Sequence, residues 1–281
     1  MKTITGALEV FETVRNLKST GKTVGVVPTM GAIHEGHLSL VRAAKTQCDF
    51  VVTTIFINPT QFGPQEDLST YPRPLENDLS KLGELNVDIA FCPGNQEVYP
   101  EGFSTFVDPP EVALPFEGQV RPDHFRGVAT VVLKLFQIVP ADFAFFGQKD
   151  LQQTLVVQTM VRDLNLPIQI IVCPIVRESD GLALSSRNTF LSPEERQRST
   201  AIHQTLTNLK ATITNPNSAG RLLAIARENL RGKVDELDYL EIVDAESLQP
   251  ITSQTQSAAI LVAAKIGSTR LIDNELIALN P

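Results

Sequence analysis

The run Phe-Val-Val-Thr-Thr-Ile-Phe-Ile at residues 50–57 carries no charge and does not alternate, so a strand made from it has no face to give to water. Such a strand must be covered on both sides, as the inner strands of a parallel sheet are. Strand-length apolar runs recur at residues 24–27, 88–92, 141–146 and 168–172. Helical patterns fill the spaces between them, at 39–45, 75–85, 124–139 and 150–163. Strand, helix, strand in repetition implies right-handed crossovers, and therefore an α/β fold with a doubly wound, Rossmann-like parallel sheet.

From about Arg177 the texture changes. Ser192-Pro193-Glu194-Glu195 carries the signals of a helix start: a hydroxyl cap, proline at the first helical position and acids in the first turn. The helix it opens extends to about residue 213, and a loop at 214–218 separates it from a second helix ending near Gly232. Strand patterns follow at 237–243, 257–266 and 269–273, the last two joined by the hairpin connection Gly267-Ser268. This is a smaller α+β module, and the boundary falls at residue 176, giving domains 1–176 and 177–281.

Charge narrows the functional classes. Of 281 residues, 24 are Lys or Arg and 32 are Asp or Glu, a net charge of −8. That balance argues against a general nucleic-acid coat and against a polybasic membrane binder, while leaving room for an anionic small molecule in a locally basic pocket. The apolar runs are too short to cross a bilayer, and Glu9 and Glu12 stand where a signal peptide needs its apolar core. Cys48, Cys92 and Cys173 are an odd number at spacings that suit neither a metal site nor a redox pair, and are read as reduced core cysteines of a cytosolic protein.

The segment Pro28-Thr29-Met30-Gly31-Ala32-Ile33-His34-Glu35-Gly36-His37 lies between the first apolar strand and the first helix. Open α/β sheets bind ligands there, at the carboxyl ends of strands. Gly31 and Gly36 allow close backbone approach, free amides at a helix start favour phosphate, and His34 and His37, three apart, face one side of a helical turn. A structural loop with incidental histidines is the competing reading. Zinc is disfavoured, because the zincin pattern needs histidines four apart and a third ligand. Gly147-Gln148-Lys149-Asp150 puts a lysine at another strand's carboxyl end, where an ordinary solvated lysine is equally consistent. Leu184-Ser185-Ser186-Arg187-Asn188 offers two hydroxyls and a guanidinium for phosphate, or serves as a capping or linker loop.

Taken in order, five blocks resemble one family. They are Pro28 to His37 as spelled above, Phe56-Ile57-Asn58-Pro59-Thr60-Gln61-Phe62, Arg121-Pro122-Asp123-His124-Phe125-Arg126-Gly127-Val128, Gly147-Gln148-Lys149-Asp150-Leu151-Gln152-Gln153 and Ser185-Ser186-Arg187-Asn188. The sequence is similar to the pantothenate synthetases, or pantoate–β-alanine ligases, with the first block resembling the HIGH signature of adenylating enzymes and Leu-Ser-Ser-Arg a degenerate KMSKS loop.

The resemblance implies an AMP-forming ligase of pantothenate and coenzyme A biosynthesis. The carboxylate of (R)-pantoate attacks the α-phosphorus of ATP, giving pantoyl adenylate and pyrophosphate, and the amine of β-alanine then displaces AMP. It implies that Met30, Gly31, Ala32, Ile33, His34, Glu35, Gly36 and His37 line the ATP site, with His37 as proton donor and His34 beside it on the phosphates. Gly147, Gln148, Lys149 and Asp150 would also meet ATP, Lys149 at the phosphates and Asp150 at the ribose. Val176 would touch adenine through its backbone, and Leu184, Ser185, Ser186 and Arg187 would close over the phosphates. Gln61 and Gln153 would bind pantoate, and Gln61 also β-alanine. Magnesium would accompany the nucleotide, with Asp78 near it; the neighbouring position, often a second Asp in the family, is Asn77 here. Arg121 or Arg126 would add to the cations, and a homodimer through the first domain is implied. Two other readings remain: a nucleotidyltransferase acting on a phosphorylated acceptor, which would call for more cations, and a nucleotide sensor without turnover, for which the two histidines, Lys149 and Arg187 would be in excess.

Overall fold

The apolar runs become parallel strands, and their order fixes where a ligand can sit. The computed structural model describes residues 1–63 and 68–279. Strands β1 (Lys2–Ile4), β2 (Val24–Thr29), β3 (Phe50–Ile55), β4 (Ile89–Phe91), β5 (Phe143–Gly147) and β6 (Gln169–Cys173) form one sheet in the order β1-β4-β3-β2-β5-β6. Every pairing in it is parallel. Helices α1 (Ala7–Ser19), α2 (Glu35–Gln47), α3 (Leu75–Glu84), α4 (Asn95–Val98), α5 (Glu117–Val120), α6 (His124–Ile138) and α7 (Leu151–Asp163) make the connections. Val51, Val52, Thr53 and Thr54 of β3 are all fully buried, which is why that strand does not alternate.

Successive strands step outward from β2 in one direction through β3 to β4, and from β5 in the other to β6. The order therefore reverses between β2 and β5, and the crevice beyond their carboxyl ends is the favoured place for a ligand.

Four elements escape the sequence pattern: β1, α1 and the four-residue helices α4 and α5, which lie in a proline-rich stretch. Strand β1 holds one buried apolar residue, Ile4, and α1 buries just Val10 and Val14, so neither has a long apolar signature. Helix α2 begins at Glu35 instead of residue 39, because His34 caps it.

The chain divides into two compact units, residues 1–148 with 153–174, and residues 149–152 with 175–281. The second unit carries the antiparallel sheet β7 (Glu236–Asp244), β8 (Ser257–Ile266) and β9 (Thr269–Ala278) and the helices α8 (Pro193–Thr212) and α9 (Pro216–Arg231). Ser192 and Glu195 form the expected reciprocal cap of α8, and Ile202, Leu206, Leu230, Leu240, Ile260 and Val262 share one core. The 214–218 loop is shorter than expected: Asn215 caps a helix that starts at Pro216, proline at the first position being an opening signal here. Strand β9 continues past Asp273 to Ala278, paired with β8 along its length.

All three cysteines are free, Cys48 and Cys173 buried and Cys92 half-buried. Burial pushes the Cys48 and Cys92 thiols up to about 11 and raises Cys173 as well. Among the described residues, no helix is long and apolar enough to cross a membrane.

Candidate active site

The crossing from β2 to α2 lies at the point of strand reversal. It begins with two left-handed residues, Gly31 at φ +84° and Ala32 at φ +50°. Glycine adopts that conformation freely; alanine does so at a cost of about 1–2 kcal/mol, so contacts must hold it there. Thr29 Oγ1 accepts from the Gly31 amide (3.2 Å) and itself donates to the Thr54 carbonyl (2.6 Å). The Ala32 and Ile33 amides donate to Asp78 Oδ2 and Oδ1 at 2.8 and 2.7 Å, and Lys81 Nζ donates to the Ile33 carbonyl at 2.5 Å. The Ile33 side chain is buried in the core with Leu40 and Val41.

His34 is the N-cap of α2, its Nδ1 accepting the Gly36 amide at 3.1 Å. His37 Nδ1 accepts the His34 amide at 3.4 Å, and the two ring centroids stand 4.1 Å apart. A neutral imidazole that accepts at Nδ1 carries its proton on Nε2, so each ring is an Nε2–H donor. This corrects one expectation. The amides of Gly31, Ala32, Ile33, His34 and Gly36 all have partners within the protein, so the loop is not a nest of free amides. Glu35 pairs with Arg42 on the exposed side of α2.

Asp78 also departs from its expected place. It is 1% exposed, and each carboxylate oxygen already accepts a backbone amide. Burial raises its pKa, against the lowering effect of those two amides and of Lys81. Its neighbour Asn77 is exposed, and no cluster of three or more His, Cys, Asp or Glu fit for a metal occurs among the described residues. A magnesium ion needs carboxylate oxygens beside several waters. The Asp78 carboxylate does not fit that task; it secures the loop.

Gln61 ends a 3-10 turn, Pro59–Gln61, that follows β3. Its side chain is fixed at both atoms: Oε1 accepts from Asn58 Nδ2 (3.1 Å), and Nε2 donates to Met30 Sδ (3.1 Å). Asn58, itself buried, also donates to the Gly127 carbonyl (3.2 Å) and accepts from the Tyr99 hydroxyl at 2.7 Å. The Gln61 carbonyl lies 2.9 Å from His124 Nδ1, while Arg121 Nη1 is 3.2 Å from His124 Nε2. A carbonyl can only accept and a guanidinium only donate, so this histidine carries its proton on Nδ1, the opposite tautomer to the loop pair. Gly127 of α6 lets the turn approach, since a Cβ there would lie 2.3 Å from the Thr60 carbonyl. Arg126 does not join these cations; it lies over the Phe106 ring and bonds Asp108.

At the end of β5, the 3-10 turn Gln148–Asp150 leads into α7. Lys149 Nζ pairs with Asp150 Oδ1 at 3.4 Å, and the Lys149 carbonyl accepts from Asn274 Nδ2 at 2.9 Å. Gln153 is half-buried in the first turn of α7, next to the fully buried Gln152.

In the second unit, the Val176 carbonyl accepts the Leu184 amide (3.0 Å), and Glu178 and Leu182 bond across a turn in which Gly181 has φ +91°. Ser185 Oγ accepts the Arg187 amide and starts the turn Ser186–Phe190. Arg177 makes a two-pronged bond to the buried Asp273, at 2.6 and 3.0 Å. Arg196 pairs with Glu178 and Asp180, and Asn188 ties Glu178 to the Ala183 carbonyl. Burial raises the Asp273 pKa, whereas the Arg196 hydrogen bond lowers that of Glu178.

A family model described as pantoate–β-alanine ligase matches residues 2–276. The chain belongs to that family. It is 51% identical to the pantothenate synthetase of Rhodopirellula baltica, with 98% of each chain covered, and 49% identical to that of Koribacter versatilis, over 98% of this chain and 95% of the relative. The crystal structure of the Thermus thermophilus pantothenate synthetase superposes with a TM-score of 0.89 at 44% identity, covering 98% and 99% of the two chains. That of the Francisella tularensis pantoate–β-alanine ligase, complexed with β-γ ATP and β-alanine, does so with 0.83 at 34%, covering 98% and 97%.

The reaction of this pantoate–β-alanine ligase is the joining of pantoate to β-alanine. Within its first unit, the structure brings Met30 against Gln61 and sets the His34 and His37 rings against each other, tilted by 35°. Lys149, Asp150, Val176 and the residues 184–187 belong to the second unit. Sequence reasoning assigned no task to Asn58, Tyr99 or His124, although Asn58 and His124 lie in the quoted blocks. Their contacts span 69, 41 and 63 residues, so no local pattern announces them.

Proposed function

We propose that the chain uses ATP to form pantoyl adenylate and then pantothenate, with AMP and pyrophosphate as the other products. A pantoate carboxylate oxygen forms a bond to the α-phosphorus as the bond to pyrophosphate breaks. The β-alanine nitrogen then adds to the acyl carbon, loses its proton, and the bond to AMP breaks. Neither step needs a protein nucleophile. Both need anions held together and charge neutralised, which is the task of positioned donors.

The observation that carries this reading is the close His34–His37 pair, each ring an Nε2–H donor, at the reversal of strand order. We assign His34 and His37 to the phosphates, His37 as proton donor to the leaving pyrophosphate. Residues 30–37 border the nucleotide. Gln61 holds pantoate and borders β-alanine, and Gln153 holds pantoate; a carboxamide can donate to a carboxylate and accept from hydroxyls. Gly147 and Gln148 border the nucleotide, Lys149 and Arg187 meet its phosphates, Asp150 its ribose, Val176 its adenine, and Leu184, Ser185 and Ser186 the covering loop. Residues 1–176 act as the catalytic domain and 177–281 as a lid domain. Magnesium, carried by the nucleotide and not by Asp78, would offset the charge of the triphosphate. The protein works as a cytoplasmic homodimer.

Pantoate-dependent exchange of labelled pyrophosphate into ATP tests the sequence of steps. Exchange that needs pantoate and not β-alanine is expected, followed by pantothenate detected by mass when β-alanine is added. Exchange independent of pantoate overturns the proposal.

A further inference from the structure

Asp78 and Lys81 are three residues apart on α3 and so project from one side of it. They reach the same short stretch of the β2–α2 loop from complementary directions. Asp78 takes the amides of Ala32 and Ile33 on separate oxygens, and Lys81 takes the Ile33 carbonyl. Three bonds therefore fix the orientation of three consecutive peptide groups, 31–32, 32–33 and 33–34, on either side of an alanine in the left-handed region and the residue after it. The next residue is His34, whose amide donates to the His37 ring. The Ile33 carbonyl and the His34 amide share one peptide group, so a rotation of the 33–34 peptide would be passed directly to both imidazoles.

The position allows little else. Asp78 is almost fully buried, with an acceptor bond on each oxygen, and Gly31 is packed so tightly that a Cβ there would stand 3.0 Å from Asp78 Oδ2. We propose that Asp78 and Lys81 are positioning residues, a clamp on the β2–α2 loop that sets the His34–His37 pair for the adenylating step, and that Asp78 acts through backbone amides and not through a metal. This rests on the assignment of the histidines to the nucleotide phosphates.

The test uses Asp78→Asn, which puts an NH2 where one amide needs an acceptor, and Lys81→Met, which keeps the stem and removes the donor. Misplaced catalytic groups cost up to about 100-fold. In pantoate-dependent ATP–pyrophosphate exchange, Asp78→Asn is expected to lower kcat by about 100-fold and Lys81→Met by about tenfold. The KM for pantoate and the half-activating magnesium concentration should stay within about twofold of wild type. A large rise in the half-activating magnesium concentration in Asp78→Asn alone, with Lys81→Met like wild type, would identify Asp78 as a metal ligand and overturn the clamp. Wild-type kinetics in both variants would overturn it too.

A second readout does not depend on turnover. The imidazole 15N resonances of His34 and His37 should shift in Lys81→Met in the ligand-free protein, and unchanged resonances refute the clamp even if Asp78→Asn fails to fold. Absence of exchange in wild type, with these shifts present, would reject the functional reading and retain the clamp as a structural device.

Discussion

The two loops assigned to the nucleotide are secured by different physics. The first, at residues 30–37, is held by a buried carboxylate on backbone amides and by its own histidine rings on others. The second, at 184–187, hangs from a turn whose anchors are mostly side chains: Arg177 on Asp273, Arg196 on Glu178 and Asp180, Asn188 on Glu178. Amide bonds to a buried group are little screened by salt, and so is the buried Arg177–Asp273 pair, whereas the half-exposed Arg196 pairs are weakened by it. The first arrangement suits a fixed surface on which charge is stabilised. The second ties the base of its loop through one buried pair and leaves the half-exposed Arg196 pairs as the part that adjusts at low cost.

Ways to break that comparison can be ranked by size. Asp273→Ala takes the two-pronged partner from the largely buried Arg177, leaves it Glu275 as a carboxylate partner, at 3.3 Å, and should cost the second unit about 3 kcal/mol, read by urea unfolding. A loss below about 1 kcal/mol would mean the second loop is anchored elsewhere. His37→Ala should lower adenylation by about 100- to 1,000-fold if its Nε2–H stabilises developing charge, with about 1 kcal/mol lost in unfolding from the N-terminal cap of α2; near-normal turnover would make the ring merely a partner of the His34 amide. Gln61→Ala should raise the KM for pantoate and β-alanine by about tenfold, the worth of one hydrogen bond of about 1.4 kcal/mol, with ATP binding kept. Loss of ATP affinity instead would move Gln61 to the nucleotide.

The smallest effect concerns acid. Arg198 and the Gly267 amide hold the exposed Asp235 down to about 2. A carboxylate depressed in the folded state supports folding above its unfolded pKa, near 4, and that support is lost as pH falls through the folded value. Asp78 and Asp273 are raised by burial, so their sign is opposite: their favourable contribution is present at low pH and is lost as pH rises through their folded values. Between pH about 4 and about 2, Asp235→Asn should therefore flatten the decline in urea midpoint, while Asp78 contributes nothing to that decline. An unchanged slope would remove Asp235 from the acid response.

Much of the sheet was legible because its central strands are buried on both faces, as at residues 51–54, and burial on both faces writes an uninterrupted apolar run. Strand β1 was not legible, since a three-residue edge strand with one buried side chain writes nothing distinctive. The histidine loop was found from its glycines and its place after a strand. The satisfied amides of Ala32 and Ile33 could not be foreseen, because their acceptor, Asp78, is 46 and 45 residues away and is chosen by tertiary packing. Likewise Gln61 was found through resemblance, but the Asn58, Met30 and His124 contacts that aim it arise from three separate elements.

The raised thiols have a practical consequence. With Cys48 and Cys92 near 11 and Cys173 also raised, the native protein holds its cysteines protonated at neutral pH, and a thiol that is protonated reacts slowly with alkylating reagents and oxidants. A single cysteine placed on the exposed face of α9, at Glu228 for example, would be modified far faster than the native three. The chain is thus already suited to carrying a spectroscopic label without prior removal of its own sulfur.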